Sequence, residues 1–311
     1  MSMRKFLMSI SATLMIIACG GGDDGHEEPD AQDEWAADSV SLKVAVMPTI
    51  DCLPLFVADE LGLFERERVS VRLYLYQAQM DCDTALLNGR VDGAMTDLVR
   101  AERMQQSGTP LHYATSTNLW WRLLTSRQAR IKMLPQLDDK MLAMTRYSGT
   151  ALLADKLVDS VGLKQERVFR IQVNDVNVRL DMLRTGVMDA LLLPEPQATA
   201  AMQMESLSLY DSRQSDLCLG VMAFSEAVMR DSLHCKQVDG LLRAYSDACD
   251  TLSAKGLSAF RDLIAKCCGV APVVVDSMQQ HVTFATAHEP RQTDIDKARE
   301  WLKKQSTLKR D

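Results

Sequence analysis

Five carboxylates stand just after short β-type runs or at the first turns of helical spacing: Asp51, Asp81, Asp97, Asp175 and Glu195. Carboxylates so placed attract a cation or the N–H donors of a heterocycle, and they repel an anion. Arg100, Arg122, Arg146 and Arg179 offer the opposite chemistry, because a guanidinium matches a carboxylate or sulfonate with two parallel hydrogen bonds. A solvated or bridging arginine is the commoner state, so the carboxylates carry more weight than the arginines and tilt the reading away from an anion. Trp120 and Trp121 are adjacent, and in a strand neighbouring side chains point to opposite faces. Only one indole can then stack on a flat solute while the other packs inside; Trp120 is taken as the stacking candidate. Ser148, Asp81 and Asp175 are also simple helix N-caps, each worth ~1 kcal/mol to its helix.

Catalysis finds little support. Of five histidines, His26 lies in an acidic segment and His112, His234, His281 and His288 are scattered. No nucleophile stands beside a base, and no Cys/His set has metal spacing, so neither metal nor cofactor is expected.

The elements that must hold these side chains alternate. A strand over 42–47, a helix over 52–61, a strand over 69–76, a helix over 81–87, a strand over 91–96, a helix over 97–106 and a strand over 111–116 follow from the apolar spacing. A second such run follows: strand 141–145, helix 148–161, strand 168–173, a helix from Asn174 or Asp175 to Gly186, strand 187–193 and helix 198–204. After a strand over 218–224 the chain is largely helical, at 238–254, 257–267, 273–282 and 294–304. This βαβα order predicts parallel sheets with helices on both faces. Gly89-Arg90-Val91-Asp92 and Gly186-Val187-Met188-Asp189 echo one another at helix-to-strand junctions. In each, glycine can end the helix left-handed and aspartate can satisfy loop amides, a turn role rather than ligation.

The N-terminus reads as an address. Arg4-Lys5 precede an apolar run over 6–18, too short to span a bilayer, and the run closes on Ile16-Ile17-Ala18-Cys19. This resembles the bacterial lipobox, which implies a signal peptide over 1–18 and lipidation of Cys19. Residues 19–40 then carry eight acids and no base, the composition of a flexible, self-repelling tether. The formal charge of −7 is therefore misleading: residues 40–311 hold 33 bases against 34 acids. A nearly neutral body excludes a nucleic-acid binder that relies on bulk positive charge.

Pro48-Thr49-Ile50-Asp51, Ala58 to Phe64, Leu87 to Asp92, Thr145 to Thr150, Leu183 to Ala190 and Leu193-Pro194-Glu195-Pro196 together resemble the bacterial ABC-transporter solute-binding proteins. The branch is the one that includes binders of thiamine precursors, sulfonates and nitrate, and the likeness spans roughly 42–305. It implies an α/β fold of two doubly wound lobes joined by two hinge segments, the type II periplasmic-binding-protein arrangement, with a helical C-terminal tail. Lobe I would comprise 41–120 and 215–311, lobe II 121–214, with crossovers near 118–124 and 218–224. In such sheets ligands sit beyond the carboxyl ends of the strands. The resemblance thus implies contacts from Thr49, Asp51, Asp81, Thr96, Asp97 and Asn118, and from Trp120, Tyr147, Ser148, Asn174, Asp175 and Glu195. It implies as partners a small organic solute, a heterocycle favoured, and an ABC permease, for a monomeric protein anchored at the membrane through Cys19. An exported compartment permits disulfides, and Cys52 and Cys82, in the loops after the first two strands, could bridge and fix the cleft rim. The rival is a biosynthetic enzyme on the same fold; a scavenging surface lipoprotein without an importer is a third reading.

Overall fold

A computed structural model describes residues 41–278 and 282–308. The expected signal peptide over 1–18, the expected lipidation site Cys19 and the expected tether over 19–40 lie outside the described residues.

The chain opens with β1 (Leu42–Val46), whose apolar residues are buried on both faces, as a central strand requires. Helices α1 (Leu53–Glu60) and α2 (Leu63–Arg66) lead to β2 (Val71–Leu75), α3 (Gln79–Leu87), β3 (Gly93–Asp97), α4 (Leu98–Gln106) and β4 (Leu111–Ser116). The chain then crosses to β5 (Arg122–Thr125), β6 (Lys140–Met144), α5 (Gly149–Ser160), β7 (Val168–Gln172), α6 (Val176–Arg184), β8 (Ala190–Leu193), α7 (Gln197–Gln203) and β9 (Leu207–Asp211). It returns through β10 (Gly220–Ser225) and ends in α8 (Glu226–Arg230), α9 (Ser232–Lys255), α10 (Arg261–Cys268), α11 (Pro272–Met278) and α12 (Gln292–Leu308).

Two sheets result, ordered β2-β1-β3-β10-β4 in lobe I and β7-β6-β8-β5-β9 in lobe II. They are mixed rather than wholly parallel. β10, arriving from the other lobe, runs antiparallel between β3 and β4, and β5 runs antiparallel between β8 and β9. The expected crossovers shift accordingly: 117–121 and 212–219 connect the lobes, while Arg122–Thr125 and Gly220–Ser225 are strands. Gly220, the first residue of β10, packs tightly on the first crossover, since a Cβ there would fall 2.8 Å from the Thr117 carbonyl oxygen and 2.5 Å from the Leu119 Cβ.

The internal echo is structural. Gly89 and Gly186 end their helices at φ 65° and 72°. Asp92 Oδ2 accepts from the Lys43 amide at 2.7 Å, and Asp189 Oδ2 accepts from the Met141 amide at 2.9 Å, one residue into β1 and β6 respectively. Each aspartate therefore ties the start of an interior strand of its own lobe. One large apolar core runs through both lobes, and a smaller cluster of Leu124, Ala143, Leu183, Leu191 and Leu193 fills one face of the second sheet.

Candidate functional site: the interlobe cleft

The carboxyl ends of β1, β3 and β6 face each other across the crossovers. Lobe I contributes Met47, Thr49, Asp51, Gln79 and Asp97 to the cleft. Lobe II contributes Thr145, Ser148, Thr150, Asn174 and Arg179, with Val176 and Pro194, and the first crossover adds Leu119 and Trp121. The free volume is about 30 Å³, room for a water or two. The lobes are closed: the Ile50 amide donates to the Glu195 carbonyl at 2.9 Å, Gln197 Nε2 to the Pro48 carbonyl at 2.8 Å, and Ala78 bridges Asp175 through the backbone.

Two acids lie inside. Asp51 is 3% exposed, and its Oδ1 has no hydrogen-bond partner among the described residues. Burial pushes its pKa up to about 6, although the Thr49 hydroxyl favours the charged form. Asp97 caps α4, accepting from the Arg100 amide at 3.1 Å. Burial also raises its pKa to about 6, against the opposing pull of the Arg100 charge and of the Gly149 amide across the cleft. Gly149 begins α5, whose cap is Ser148, with the Thr150 amide donating to Ser148 Oγ at 3.1 Å. The N-terminal end of α5 thus faces Asp97, a favourable dipole for a carboxylate.

Arg179 supplies the cation. Its Nε donates to the Val173 carbonyl at 2.7 Å, Nη1 to the Leu192 carbonyl at 2.8 Å and Nη2 to Thr145 Oγ1 at 2.6 Å. Burial lowers its pKa to about 10, so it stays charged at neutral pH. Tying the ends of three strands, it is a fixed positive floor rather than a free fork.

Several expected residues lie elsewhere. Of the expected contacts, Thr49, Asp51, Asp97, Ser148 and Asn174 line the cleft. Asp81 does not: α3 begins at Gln79 with Ala78 as its cap, which places Asp81 in an exposed first turn. Thr96 turns toward Asp83, with Oγ1 3.4 Å from Oδ1. Trp120 gives way to Trp121. Residues 117–121 are not a strand, so strand alternation does not apply; Trp121 lines the cleft, while the Trp120 ring lies under Arg213, 3.9 Å from its centroid. Tyr147 packs under Arg103 outside the cleft, and Asp175 caps α6 through the Asn177 and Val178 amides at 2.8 and 3.0 Å. Glu195 is buried inside lobe II, accepting from the Thr199 amide at 2.9 Å, and only its carbonyl meets lobe I. Asn118 is half-buried in the first crossover and does not line the cleft.

Of the arginines, Arg100 is held by buried Asp83, Arg122 lies 3.6 Å from Glu195 and 3.5 Å from Asp211, and Arg146 is exposed. The expected Cys52–Cys82 bridge is absent: both thiols are free and buried. Each sulfur is turned to a different backbone group, Cys52 Sγ accepting from the Met47 amide at 3.3 Å and Cys82 Sγ approaching the Val46 carbonyl at 3.9 Å. Sequence reasoning missed Thr145, Thr150 and Trp121 in the lining. Thr150 was findable, because the second residue after a Ser cap faces the same turn.

A family model described as NMT1/THI5 like matches residues 49–257. The chain belongs to the NMT1/THI5-like family. The match runs from the loop after β1 through both lobes into the helical tail, so this family's segment contains every residue that lines the cleft except Met47. Solved structures share the fold. The alkanesulfonate-binding protein SsuA of Xanthomonas axonopodis pv. citri, bound to MOPS, is 18% identical with TM-score 0.74, covering 87% of this chain and 93% of its own. The aliphatic sulphonate binding protein SsuA of Escherichia coli is 17% identical with TM-score 0.70, covering 85% and 92%. The nitrate-binding protein NrtA of Synechocystis PCC 6803 is 14% identical with TM-score 0.70, covering 82% and 74%. No curated protein sequence matches the chain.

Proposed function

We propose that this NMT1/THI5-like protein is a lipid-anchored, extracytoplasmic solute-binding protein that captures a small organic solute between its lobes and delivers it to an ABC importer. The observation that carries the reading is the closed cleft at the strand ends, where Asp51, Asp97, Arg179 and Trp121 converge from both lobes and a crossover. The closed cleft has room for only a water or two, so a solute would enter by parting the lobes, and its contacts to both would then favour their reclosure on it. The cleft holds two buried carboxylates against one arginine already engaged by carbonyls and a hydroxyl. That balance favours a cationic or donor-bearing heterocycle over a sulfonate or nitrate. A bound donor would also ionise Asp51 and Asp97 by supplying the hydrogen bonds that burial denies them. Among the described residues that line the cleft there is no histidine, cysteine or lysine to act as an activated nucleophile or base, which favours binding without turnover.

The test is a thermal-shift and native-mass screen of the purified protein with heterocyclic vitamins and their precursors, polyamines, sulfonates and nitrate. A true solute at a hundred times its Kd should stabilise the fold by about 2.7 kcal/mol. Saturable stabilisation by a heterocycle or cation, without chemical change, is expected. Stabilisation by sulfonates or nitrate alone would overturn the solute class, and product formation would overturn the receptor.

A further inference from the structure

Helix α12 buries Ile295, Ala298 and Leu302 along one face, at the spacing of a single helical stripe, and it packs on α4 of lobe I. Its attachments do not stop at that lobe. Arg299 Nε donates to Glu102 Oε2 at 2.7 Å, and Glu102 is itself buried in lobe I beneath Tyr113. Near its start, Asp294 is fully buried against the second crossover, with the Cys218 amide 3.4 Å from its Oδ2. Lys297 Nζ donates to the Asp216 carbonyl at 2.9 Å, a second bond to that crossover. The next turns reach lobe II: Trp301 Nε1 donates to Asp155 Oδ2 at 3.0 Å and Gln305 Nε2 donates to the same oxygen at 2.9 Å. Arg170 holds the other oxygen of Asp155 at 3.2 Å, which fixes that carboxylate on α5 as a rigid acceptor.

From this geometry we propose that α12 is a latch: bolted to lobe I and the second crossover, it holds lobe II closed through the Trp301 and Gln305 bonds to Asp155. Both bonds end on a charged oxygen at a half-buried seam, where hydrogen bonds are stronger than neutral ones. The latch acts outside the cleft, so it biases the closed arrangement whatever solute the cleft takes. Because the closed cleft has room for only a water or two, anything entering it must first part the lobes, so the latch sets how much free energy that opening costs.

Two interlobe bonds report closure far from α12 in sequence, the Ile50 amide to Glu195 and the backbone bridge between Ala78 and Asp175. Hydrogen exchange of the full chain, with no ligand added, tests the latch in the variant Trp301→Phe with Gln305→Leu, which keeps apolar bulk and removes both donors. Exchange at Ile50 should accelerate about tenfold, as expected for losing bonds to a charged group. Amides of β1 and β6, which are internal to the lobes, should keep the wild-type rate. Asp155→Asn gives a second readout and should accelerate Ile50 in the same sense. Unchanged exchange at Ile50 in both variants would overturn the latch. So would equal acceleration in β1, β6 and Ile50, because α12 would then be part of the fold's core rather than a device between lobes. The measurement needs no solute, so its outcome is separate from that of the binding screen.

Discussion

Asp97→Asn probes the cleft most directly. Asparagine caps a helix about as well as aspartate, so the bond from the Arg100 amide survives and the change removes chiefly the buried ionisation. Asp97 moves from an ordinary value of 3.8 to about 6 on folding, because burial disfavours the charged form. A raised carboxylate means that the folded state binds more protons than the unfolded one between those values, so its contribution is complete below pH 4 and is lost as pH rises through about 6. About two units correspond to roughly 3 kcal/mol. Asp97→Asn should therefore equal wild type near pH 4 and exceed it by up to about 3 kcal/mol at pH 7, with the difference developing between pH 4 and 6. At about 2–4 °C per kcal/mol for a chain of this size, the neutral-pH gain is about 6–12 °C in Tm. Urea or thermal unfolding of both proteins across that range measures it. Paired carboxylates elsewhere, such as Asp211 beside Arg213, are lowered and slope the other way, so the difference between variant and wild type is the quantity to read. A variant no more stable than wild type at pH 7, or an advantage equal at pH 4 and pH 7, would refute the buried-acid account.

Gly220→Ala would drive a Cβ into Thr117, including its backbone, on the first crossover, and should cost about 1–3 kcal/mol in chemical denaturation. Retention of full stability would show that the first crossover shifts freely. Asp92→Ala and Asp189→Ala each remove an acceptor from an amide near the start of an interior strand, at a part-buried and an exposed site respectively, and each should lose about 0.5–1.5 kcal/mol, Asp189 the less. The two losses should add, since the residues serve different lobes; strong non-additivity would argue against independent ties. Alkylation in denaturant without reductant should label both Cys52 and Cys82. Peptide mapping that recovers the two joined would contradict their separate backbone contacts.

Much of the scaffold was legible in the residues themselves, because the signals are local. Ser148 and Asp175 stand where a cap is needed and cap the helices that follow them, whereas Asp81, read in the same way, falls inside the first turn of its helix. The repeated Gly-x-x-Asp marked two equivalent helix-to-strand junctions, but the aspartates, expected to serve loop amides, accept instead from Lys43 and Met141 inside the neighbouring strands β1 and β6. Strand and helix order, two α/β runs and a body of nearly balanced charge likewise follow from spacing and composition. What the sequence could not decide depends on partners distant along the chain. β5 and β9 are short, and it is pairing with β8 and with each other that makes them strands. Whether Trp120 or Trp121 faces the cleft turned on where the crossover ends and β5 begins, a boundary set by that pairing. Arg179 became a fixed floor because carbonyls from β8 and from the loop after β7 surround it, and Cys52 and Cys82 stayed apart because each sulfur meets a different backbone group. Local chemistry chose the elements; the long-range closure of two sheets on one another decided which side chains share the cleft.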